Sequence, residues 1–359
     1  MSNKIIVFSF TRIGTELNRK LCSAFRKWED TLCCSYVPGK YAGDGVDPLP
    51  EDIRMFIGRN WRDCSFLFIG AAGIAVRYIA PWVKDKFTDP AVLVMDEKGQ
   101  YVIPLLSGHV GGAAALADKV AEITGGTAVH TTATDVQGKF APDVFAERNH
   151  LFITDRKRAK EISAAILEGE RIGFLAEDSQ SCMEGTVPGE LAVCRSLEEA
   201  EKFSHRIIVS DRNLSGEDGT LLLRPKNVIA GIGCRKGISP ELLERGLIEI
   251  LDRHGLVPEQ LEAVASIDLK KEEPAILALT EKYRIPFITY SAEELGRITE
   301  VTAGSDFVKQ TTGVDNVCER AALLYSQERN FEGEMIQGKW IGSSMTASLV
   351  RRRVVLRFL

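Results

Sequence analysis

Short apolar runs alternate with helical patterns along most of the chain. Residues 4–10 form the first apolar run, and the helix pattern after it places Leu17, Leu21 and Phe25 four positions apart. Residues 64–80 repeat the order of strand, small-residue turn and helix. This alternation predicts an α/β fold whose N-terminal sheet is mainly parallel and Rossmann-like.

The next segments vary this pattern. Residues 91–106 read as a β-hairpin with its turn at 97–99, and residues 107–126 as a glycine-rich turn that enters a helix. Residues 127–135 read as a short strand followed by a polar loop. The sequence therefore places a second strand-to-helix turn after the hairpin.

Changes of pattern divide the chain into three parts. We expect a Rossmann-like N-terminal domain at 1–137, a small α/β middle region at 138–224 and a separate α/β C-terminal domain at 225–359. The basic residues 351–359 read as a solvated terminal strand, although an extension or a partner contact is also open.

Composition and charge narrow the class of protein. Of the 359 residues, 45% are hydrophobic and 26% charged, which indicates a globular chain. The net charge of −5 argues against binding nucleic acid by bulk charge. The excess of acidic over basic residues lies mostly in 138–224, which has a net charge of −4. Residues 1–137 have a net charge of 0 and residues 225–359 of −1. A carboxylate-rich ligand is therefore compatible with either terminal part.

Other features bear on location and metals. The chain has no apolar run of about 18 residues and no secretory leader, so we expect a cytoplasmic protein without membrane contact. Its eight cysteines form no CxxC pair, and none lies at zinc-ligand spacing from the five histidines. We expect scattered thiols and no protein-bound metal.

The first candidate for chemistry is the turn after residue 69. Gly70, Ala71 and Gly73 would expose backbone N–H groups at a helix start, and Arg77 could add a charged hydrogen bond to a carboxylate or phosphate. Small residues that only allow close helix–sheet packing are the alternative. The turn matches neither a dinucleotide nor a nucleotide-triphosphate fingerprint.

The second candidate is the turn after the hairpin. Ser107, Gly108 and His109 end a strand, and Gly111 and Gly112 begin a helix. His109 could transfer a proton near neutral pH, and the glycine amides could stabilise an oxyanion.

A hydroxyl-rich segment follows at Thr131, Thr132 and Thr134, and ends at Asp135. Asp135 could orient His109 or simply cap the next element.

The third candidate lies in the C-terminal part. Gly231 and Gly233 precede Cys234, Arg235 and Lys236 in what reads as an anion-binding turn, where the cations would activate Cys234 if it is exposed. A structural turn with an inert thiol is the alternative. Further candidate contacts to a ligand are Ser266 and Ser305.

Several long motifs, in one order, resemble the CbiG family of cobalamin biosynthesis. In the N-terminal half these are LLSGHVGGAAALADKVAEITGGTAVHTTATD and APDVFAE. The segments that resemble its C-terminal domain, which also occurs in CobE proteins, are GIGCRKGISPELLERGL, ASIDLKKEE, ITYSAEEL, SDFVKQTTGVDNVCERAAL and Lys339 to Thr346.

This resemblance implies a cobalt-precorrin-5A hydrolase, which opens a lactone on the macrocycle and releases a two-carbon unit as acetaldehyde, giving cobalt-precorrin-5B. The cobalt belongs to the substrate, so no cofactor is implied. We expect His109 to act as the base, Ser107 with the Gly111 and Gly112 amides to bind the oxyanion, and Asp135 with its threonines to position substrate or water.

The substrate is a polycarboxylate, so we expect helix N-termini, Arg77, Arg235 and Lys236 to meet its carboxylates. Transient contact with neighbouring enzymes of the pathway is also expected. Two other functions stay open: a tetrapyrrole carrier without chemistry, and a regulatory module that senses a nucleotide-like ligand.

Overall fold

A computed structural model describes residues 4–28, 31–85, 88–108, 111–177, 182–212, 218–329 and 333–358, without the side chains of Thr134, Asp135 and Phe307. The chain divides into two compact units, Met1–Lys139 and Phe140–Leu359. Within the described ranges, no helix is long and apolar enough to cross a membrane.

The first unit is built on one sheet with the strand order β3-β2-β1-β4-β5-β6-β7. Its strands are β1 (Lys4–Ser9), β2 (Leu32–Val37), β3 (Asp47–Pro48), β4 (Ser65–Ile69), β5 (Val92–Met95), β6 (Tyr101–Leu106) and β7 (Thr127–Ala128). Its α-helices are α1 (Arg12–Phe25), α2 (Ile53–Arg59), α3 (Ala72–Ile79), α4 (Ala113–Thr124) and α5 (Ala133–Gln137).

Helices on both faces explain why strands β1, β4 and β5 are apolar along almost their whole length. Ile5 and Val7 of β1 share a core with side chains of α1 and α4. Ile6 and Phe8 face the opposite core, which contains side chains of α2 and α3. Because alternate residues of a strand point to opposite faces, a sheet covered on both sides needs a continuous apolar run.

Strand direction confirms the predicted mainly parallel sheet and its hairpin. Strands β3, β2, β1, β4 and β5 are parallel to their neighbours, whereas β6 is antiparallel to β5 and β7 is parallel to β6. The polar loop predicted up to Asp135 is wrong in its second half, where α5 begins. The Val136 amide donates to the Thr132 carbonyl at 3.0 Å, which closes a helical turn there.

One pair of cysteines departs from the expected scattered thiols. Cys22 of α1 and Cys33 of β2 form a disulfide, with their Cα atoms 5.7 Å apart. Both residues are buried in the same core. The spacing of 11 residues carries no recognisable motif, so only the packing of the helix on the neighbouring strand brings the two sulfurs together.

The second unit contains two larger sheets, with the orders β11-β9-β12-β13-β8 and β16-β15-β14-β18-β17, and a two-stranded sheet of β10 and β19. Its strands are β8 (Leu151–Ile153), β9 (Ile172–Ala176), β10 (Cys182–Glu184), β11 (Leu191–Val193), β12 (Arg206–Val209), β13 (Thr220–Pro225), β14 (Val228–Cys234), β15 (Leu261–Ile267), β16 (Phe287–Tyr290), β17 (Gly333–Gly342), β18 (Met345–Arg352) and β19 (Val355–Arg357). Its α-helices are α6 (Pro142–Arg148), α7 (Arg156–Leu167), α8 (Leu197–Ala200), α9 (Pro240–Asp252), α10 (Pro274–Tyr283), α11 (Ala292–Gly296), α12 (Asp306–Thr312) and α13 (Cys318–Glu328).

Two helices of this unit begin with a serine cap. Ser239 caps α9 by accepting a hydrogen bond from the Leu242 amide, and Pro240 occupies the first turn. Ser291 and Glu294 form a capping box at the start of α11. Both helix starts are therefore set by residues within three positions of the cap.

The basic C-terminal segment folds back onto the middle region. Val354, Leu356 and Phe358 are buried in the same core as Phe145 and Phe174. Strand β19 pairs in parallel with β10. The segment is thus a strand, as predicted, but its alternate apolar residues complete the core of a region that begins more than a hundred residues earlier.

The side chain of Asn149 makes two hydrogen bonds to the main chain of this terminal strand, as a neighbouring strand would. Its Nδ2 donates to the Arg357 carbonyl at 3.1 Å, and its Oδ1 accepts from the Arg357 amide at 2.6 Å. Asn149 is itself buried. Paired hydrogen bonds from a buried amide fix the register of the last residues.

Candidate functional site

The first candidate turn lies where the order of the N-terminal sheet reverses. From β1 the chain continues to β2 on one side, and β4 lies on the other side. The turn at Gly70 follows β4, and Thr11 follows β1, so both lie at the carboxyl edge of parallel strands. Such a reversal point is where open α/β sheets bind ligands.

Several contacts organise this edge. Thr11 accepts from the Gly14 amide as the cap of α1 and donates to Glu97 Oε2 at 2.5 Å, which ties the start of α1 to the β5–β6 turn. Phe10 stacks on Tyr78 of α3, with ring centroids 6.2 Å apart. The sequence analysis did not select Phe10, Thr11 or Tyr78, although the position of Thr11 after a buried strand was a usable signal.

Arg77 is directed towards its own helix. Its guanidinium donates to the Gly73 carbonyl at 3.1 Å on the exposed side of α3. The turn residues Gly70, Ala71 and Gly73 lie before or at the start of this helix. Their backbone is placed for an anion at the helix start, and their role as ligand contacts stays a prediction.

The Ser107 turn lies at the opposite edge of the same sheet. Because β6 runs antiparallel to β5, its carboxyl end lies beside the amino ends of β1, β4 and β5. A strand of five residues separates the two edges by roughly 15 Å. The turns at Gly70 and Ser107 each follow a strand, but they do not form one site.

Ser107 is nearly buried and its hydroxyl is engaged. Its Oγ donates to the Asp89 carbonyl at 2.8 Å, and its φ of 55° is left-handed. The Asp89 carboxylate in turn accepts from Trp61 Nε1 at 3.1 Å and from the amides of Lys84 and Asp85 at 2.8 and 2.9 Å. The serine is thus part of a network that fixes the turn.

The glycines of this turn have steric reasons for their identity. A Cβ on Gly111 would lie 2.4 Å from the Ser107 Cβ, and Gly112 has a φ of 78° at the cap of α4. The Ala113 and Ala114 amides donate to the carbonyls of Ser107 and Gly108. An oxyanion role for the Gly111 and Gly112 amides stays a prediction.

Part of the predicted catalytic group cannot be placed. His109 lies outside the described residues, as do the side chains of Thr134 and Asp135, whose backbone lies in α5. Thr131 and Thr132 are exposed. Since β7 runs parallel to β6, this segment leaves the sheet at the same edge as Ser107.

The glycines of the third candidate lie in a strand, and this corrects the expected turn. Gly231 and Gly233 belong to β14, and a Cβ on Gly231 would lie 1.8 Å from the Cys318 carbonyl oxygen. Gly231 is therefore needed for close packing of α13. Cys234 is half-buried, and burial raises the pKa of its thiol, so it is not activated.

The exposed turn of this candidate already holds an anion from the chain itself. Arg235 and Lys236 are exposed, and the Gly237 amide donates to Glu273 Oε1 at 3.0 Å. The same carboxylate accepts from Lys270 Nζ at 2.9 Å. Binding of a ligand carboxylate by the side chains of Arg235 and Lys236 stays a prediction. The Gly237 amide is not open to such a ligand, because it already donates to Glu273.

The two remaining serines have structural partners. Ser266 is fully buried and donates to the Ile232 carbonyl at 2.6 Å, which joins β15 to β14. Ser305 caps α12 by accepting from the Val308 amide at 3.5 Å. Ser305 retains exposed surface for a ligand, whereas Ser266 has none.

Family models cover most of the chain in order. The models described as Cobalamin synthesis G N-terminal, Cobalamin biosynthesis central region and Cobalamin synthesis G C-terminus match residues 56–135, 140–225 and 228–350. The last two matches fall on the two larger sheets of the second unit.

Individual proteins are similar over long alignments. The chain is 40% identical over 272 residues to the cobalt-precorrin-5A hydrolase of Salmonella typhimurium, covering 73% of this chain and 76% of that protein. It is 31% identical over 331 residues to that of Priestia megaterium, covering 89% and 88%. Protein CobE of Sinorhizobium sp is 32% identical over 127 residues, covering 34% of this chain and 78% of that protein. The chain therefore belongs to the CbiG family of cobalamin biosynthesis proteins.

Proposed function

We propose that this chain is a cobalt-precorrin-5A hydrolase. The observation that carries the proposal is the similarity to proteins of that name, at 40% identity over 73% of the chain and 31% over 89%. The reaction is the one that the sequence motifs imply: water opens the lactone, and a carbon–carbon bond then breaks to release acetaldehyde. The substrate is a small-molecule cobalt tetrapyrrole, which brings its own metal.

The chemistry needs a base and an oxyanion site. Attack of water on the lactone carbonyl transfers a proton to the base and places negative charge on the carbonyl oxygen. Collapse of this intermediate breaks the ester bond, and the alcohol oxygen takes up a proton. In the second step a base removes this hydroxyl proton, the oxygen becomes the carbonyl oxygen of acetaldehyde, and the electron pair of the broken carbon–carbon bond passes into the conjugated macrocycle. We assign the base to His109 and the oxyanion donors to the Gly111 and Gly112 amides, with Asp135 and its threonines beside them.

Ser107 has a different part in this proposal. Its single hydroxyl proton is donated to the Asp89 carbonyl, so it cannot be donated to an oxyanion at the same time. We therefore assign Ser107 to positioning the turn that precedes His109. The Gly70 turn and Arg77 lie at the other edge of the sheet, so in this proposal they take no part in the chemistry at the Ser107 turn.

The alternative function is that of a tetrapyrrole carrier. A carrier would bind the intermediate and protect it without breaking a bond. Such a protein needs no base at residue 109, so a variant there separates the two functions. In either case we propose a cytoplasmic protein that meets neighbouring enzymes of the pathway transiently.

An anaerobic turnover assay tests the proposal. Purified protein is incubated with cobalt-precorrin-5A, and acetaldehyde is followed through the NADH consumed by alcohol dehydrogenase. We expect enzyme-dependent acetaldehyde, and a fall of about a hundredfold or more for His109→Ala because general base catalysis contributes about that factor.

Two results would overturn parts of this assignment. Tight binding of cobalt-precorrin-5A without any acetaldehyde would favour the carrier. Near-normal release by a folded His109→Ala variant would remove His109 from the mechanism, while the reaction itself would stand.

A further inference from the structure

A polar cluster lies on the α13 side of the C-terminal sheet, apart from the exposed Arg235 turn. Gly231 and Gly233 of β14 pair directly with Ser348 and Thr346 of β18. The position of a Cβ on Gly231 is 3.0 Å from Ser348 Oγ, and that on Gly233 is 2.7 Å from Thr346 Oγ1. The two glycines therefore leave space beside the hydroxyls of Ser348 and Thr346.

A bulge in β17 adds a lysine to this cluster. Gln337 pairs with Leu349 and Trp340 with Ala347, so Gly338 and Lys339 together oppose the single residue Ser348. A Cβ on Gly338 would lie 2.8 Å from Thr302 Oγ1 and 3.4 Å from Glu319 Oε1, both on the α13 side. Trp340, the residue after Lys339, packs in the core on the opposite face together with Ala347 and Leu349. Because neighbouring strand residues alternate between faces, Lys339 lies on the face that carries Ser348.

A buried carboxylate holds the bulge open. Glu319 of α13 is fully buried and accepts from the amide of Lys339, and from the amide and hydroxyl of Thr302. Asn316, also fully buried, donates to the Ala303 carbonyl at 2.8 Å and accepts from the Glu319 amide at 3.0 Å. Three neutral donors contact this carboxylate, and among the ion pairs of the described residues none joins it to the ammonium of Lys339.

Two polar groups of the cluster have no partner in the described part of the chain. Ser348 Oγ is fully buried and makes no hydrogen bond. The half-buried Lys339 has its amide bonded to Glu319, but no described residue accepts a bond from its ammonium. Burial raises the pKa of the nearby Cys318 thiol to about 11, so that thiol stays neutral. Unpaired donors in a partly dry place favour an anion.

The entrance to this cluster is open. Apart from the two chain neighbours of Gly233, the described residues place only Thr346 Oγ1 and Val317 Cβ, the latter at 3.9 Å, within 4 Å of its Cβ position. The Thr346 hydroxyl donates to the Gly233 carbonyl over 3.4 Å, which is a long bond that a stronger acceptor can replace.

We propose that Lys339 and Thr346 bind one carboxylate side chain of the substrate, at the carboxyl end of β14. The proposal rests on the function proposed above, which supplies a ligand rich in carboxylates. The ammonium would neutralise the carboxylate and the Thr346 hydroxyl would donate a second hydrogen bond to it, while Ser348 supplies a polar floor. The site adds a binding contact and takes no part in breaking bonds.

The test compares matched variants in the acetaldehyde assay. Lys339→Met keeps the aliphatic stem but removes the charge, so we expect KM to rise about tenfold to a hundredfold and kcat to change less than about threefold. Lys339→Arg should recover most of the affinity, and Thr346→Val should raise KM by a smaller factor. Lys202→Met, at an exposed lysine of the same unit, is the control for loss of one charge.

A binding assay separates failure of the site from failure of the function. Quenching of uroporphyrin fluorescence, compared with its uncharged octamethyl ester, reports carboxylate-dependent affinity without turnover. Weaker binding of uroporphyrin by Lys339→Met, in a protein that releases no acetaldehyde, would keep the site and reject the hydrolase. An unchanged KM and an unchanged uroporphyrin affinity in a folded Lys339→Met or Thr346→Val variant would overturn the site.

Discussion

At the scale of single residues, Ser107 and Ser266 show how one expected role becomes another. Both serines follow or end apolar strands, and both donate to main-chain carbonyls of a neighbouring segment, Asp89 and Ile232. Such a bond is worth about 1 kcal/mol net, and losing it leaves a buried acceptor unpaired. A serine hydroxyl at a strand end therefore predicts a ligand contact only if no main-chain carbonyl accepts its proton.

The Ser107 hydrogen bond yields a prediction on stability. Ser107→Ala should lower the free energy of unfolding by about 1–2 kcal/mol, since it removes the bond to Asp89 and keeps the left-handed φ of 55°. Ser107→Gly should lose less, because glycine adopts this conformation freely. Urea unfolding followed by circular dichroism measures both.

The same variants separate positioning from catalysis. A positioning role predicts that activity falls in step with the damage to the turn. A hundredfold fall in kcat for Ser107→Ala, with unchanged stability, would instead make Ser107 a direct donor.

At the scale of elements, strand β19 depends on residues that are distant in the sequence. Strand β19 has three residues and pairs with another three-residue strand, β10. Its stability comes from Val354, Leu356 and Phe358, which occupy the core around Phe174. Burial of alternate apolar side chains, rather than the hydrogen bonds of so short a pair, anchors this strand.

Leu356 and Arg357 provide a matched test of this view. Leu356→Ala should destabilise the second unit by about 2–5 kcal/mol, because it removes a fully buried side chain. Arg357→Ala should cost under about 1 kcal/mol, since its side chain is 65% exposed and pairs with Glu184 at the surface. Hydrogen exchange at residues 207–209 and 221–223 should report the loss in Leu356→Ala. Equal protection in both variants would contradict the anchoring role.

At the scale of the whole molecule, the chain consists of two compact units, and the second contains two sheets tied by the tail. The ion pairs Arg351–Asp211 and Arg352–Glu262 flank the crossing of the tail between these sheets. The predicted border at 224/225 lies between the segments that form the two larger sheets. The last residues of the chain nevertheless pack in the core of the middle region, on the other side of that border.

Fragments should behave accordingly. Residues 1–139 and residues 140–359 should each fold when expressed alone, because each retains its cores. Residues 140–352 should lose cooperative unfolding in the middle sheet, since Val354, Leu356 and Phe358 are missing. Two-dimensional NMR and thermal melts check this. A well-dispersed, cooperative 140–352 fragment would show that the tail is dispensable.

Local patterns in the sequence determined the elements, the caps and the family. Apolar periodicity marked β1, α1 and the β5–β6 hairpin, because these depend on residues a few positions apart. The caps at Ser239 and Ser291 are equally local. Only the tertiary structure decided what depends on distant segments. The direction of β6 placed Ser107 and Gly70 at opposite edges, the packing of α13 explained Gly231, and the pairing of β17 placed Lys339 on the face that carries Ser348. Strand direction, close approach and burial are relations between segments far apart in the chain, and local periodicity carries no information about them.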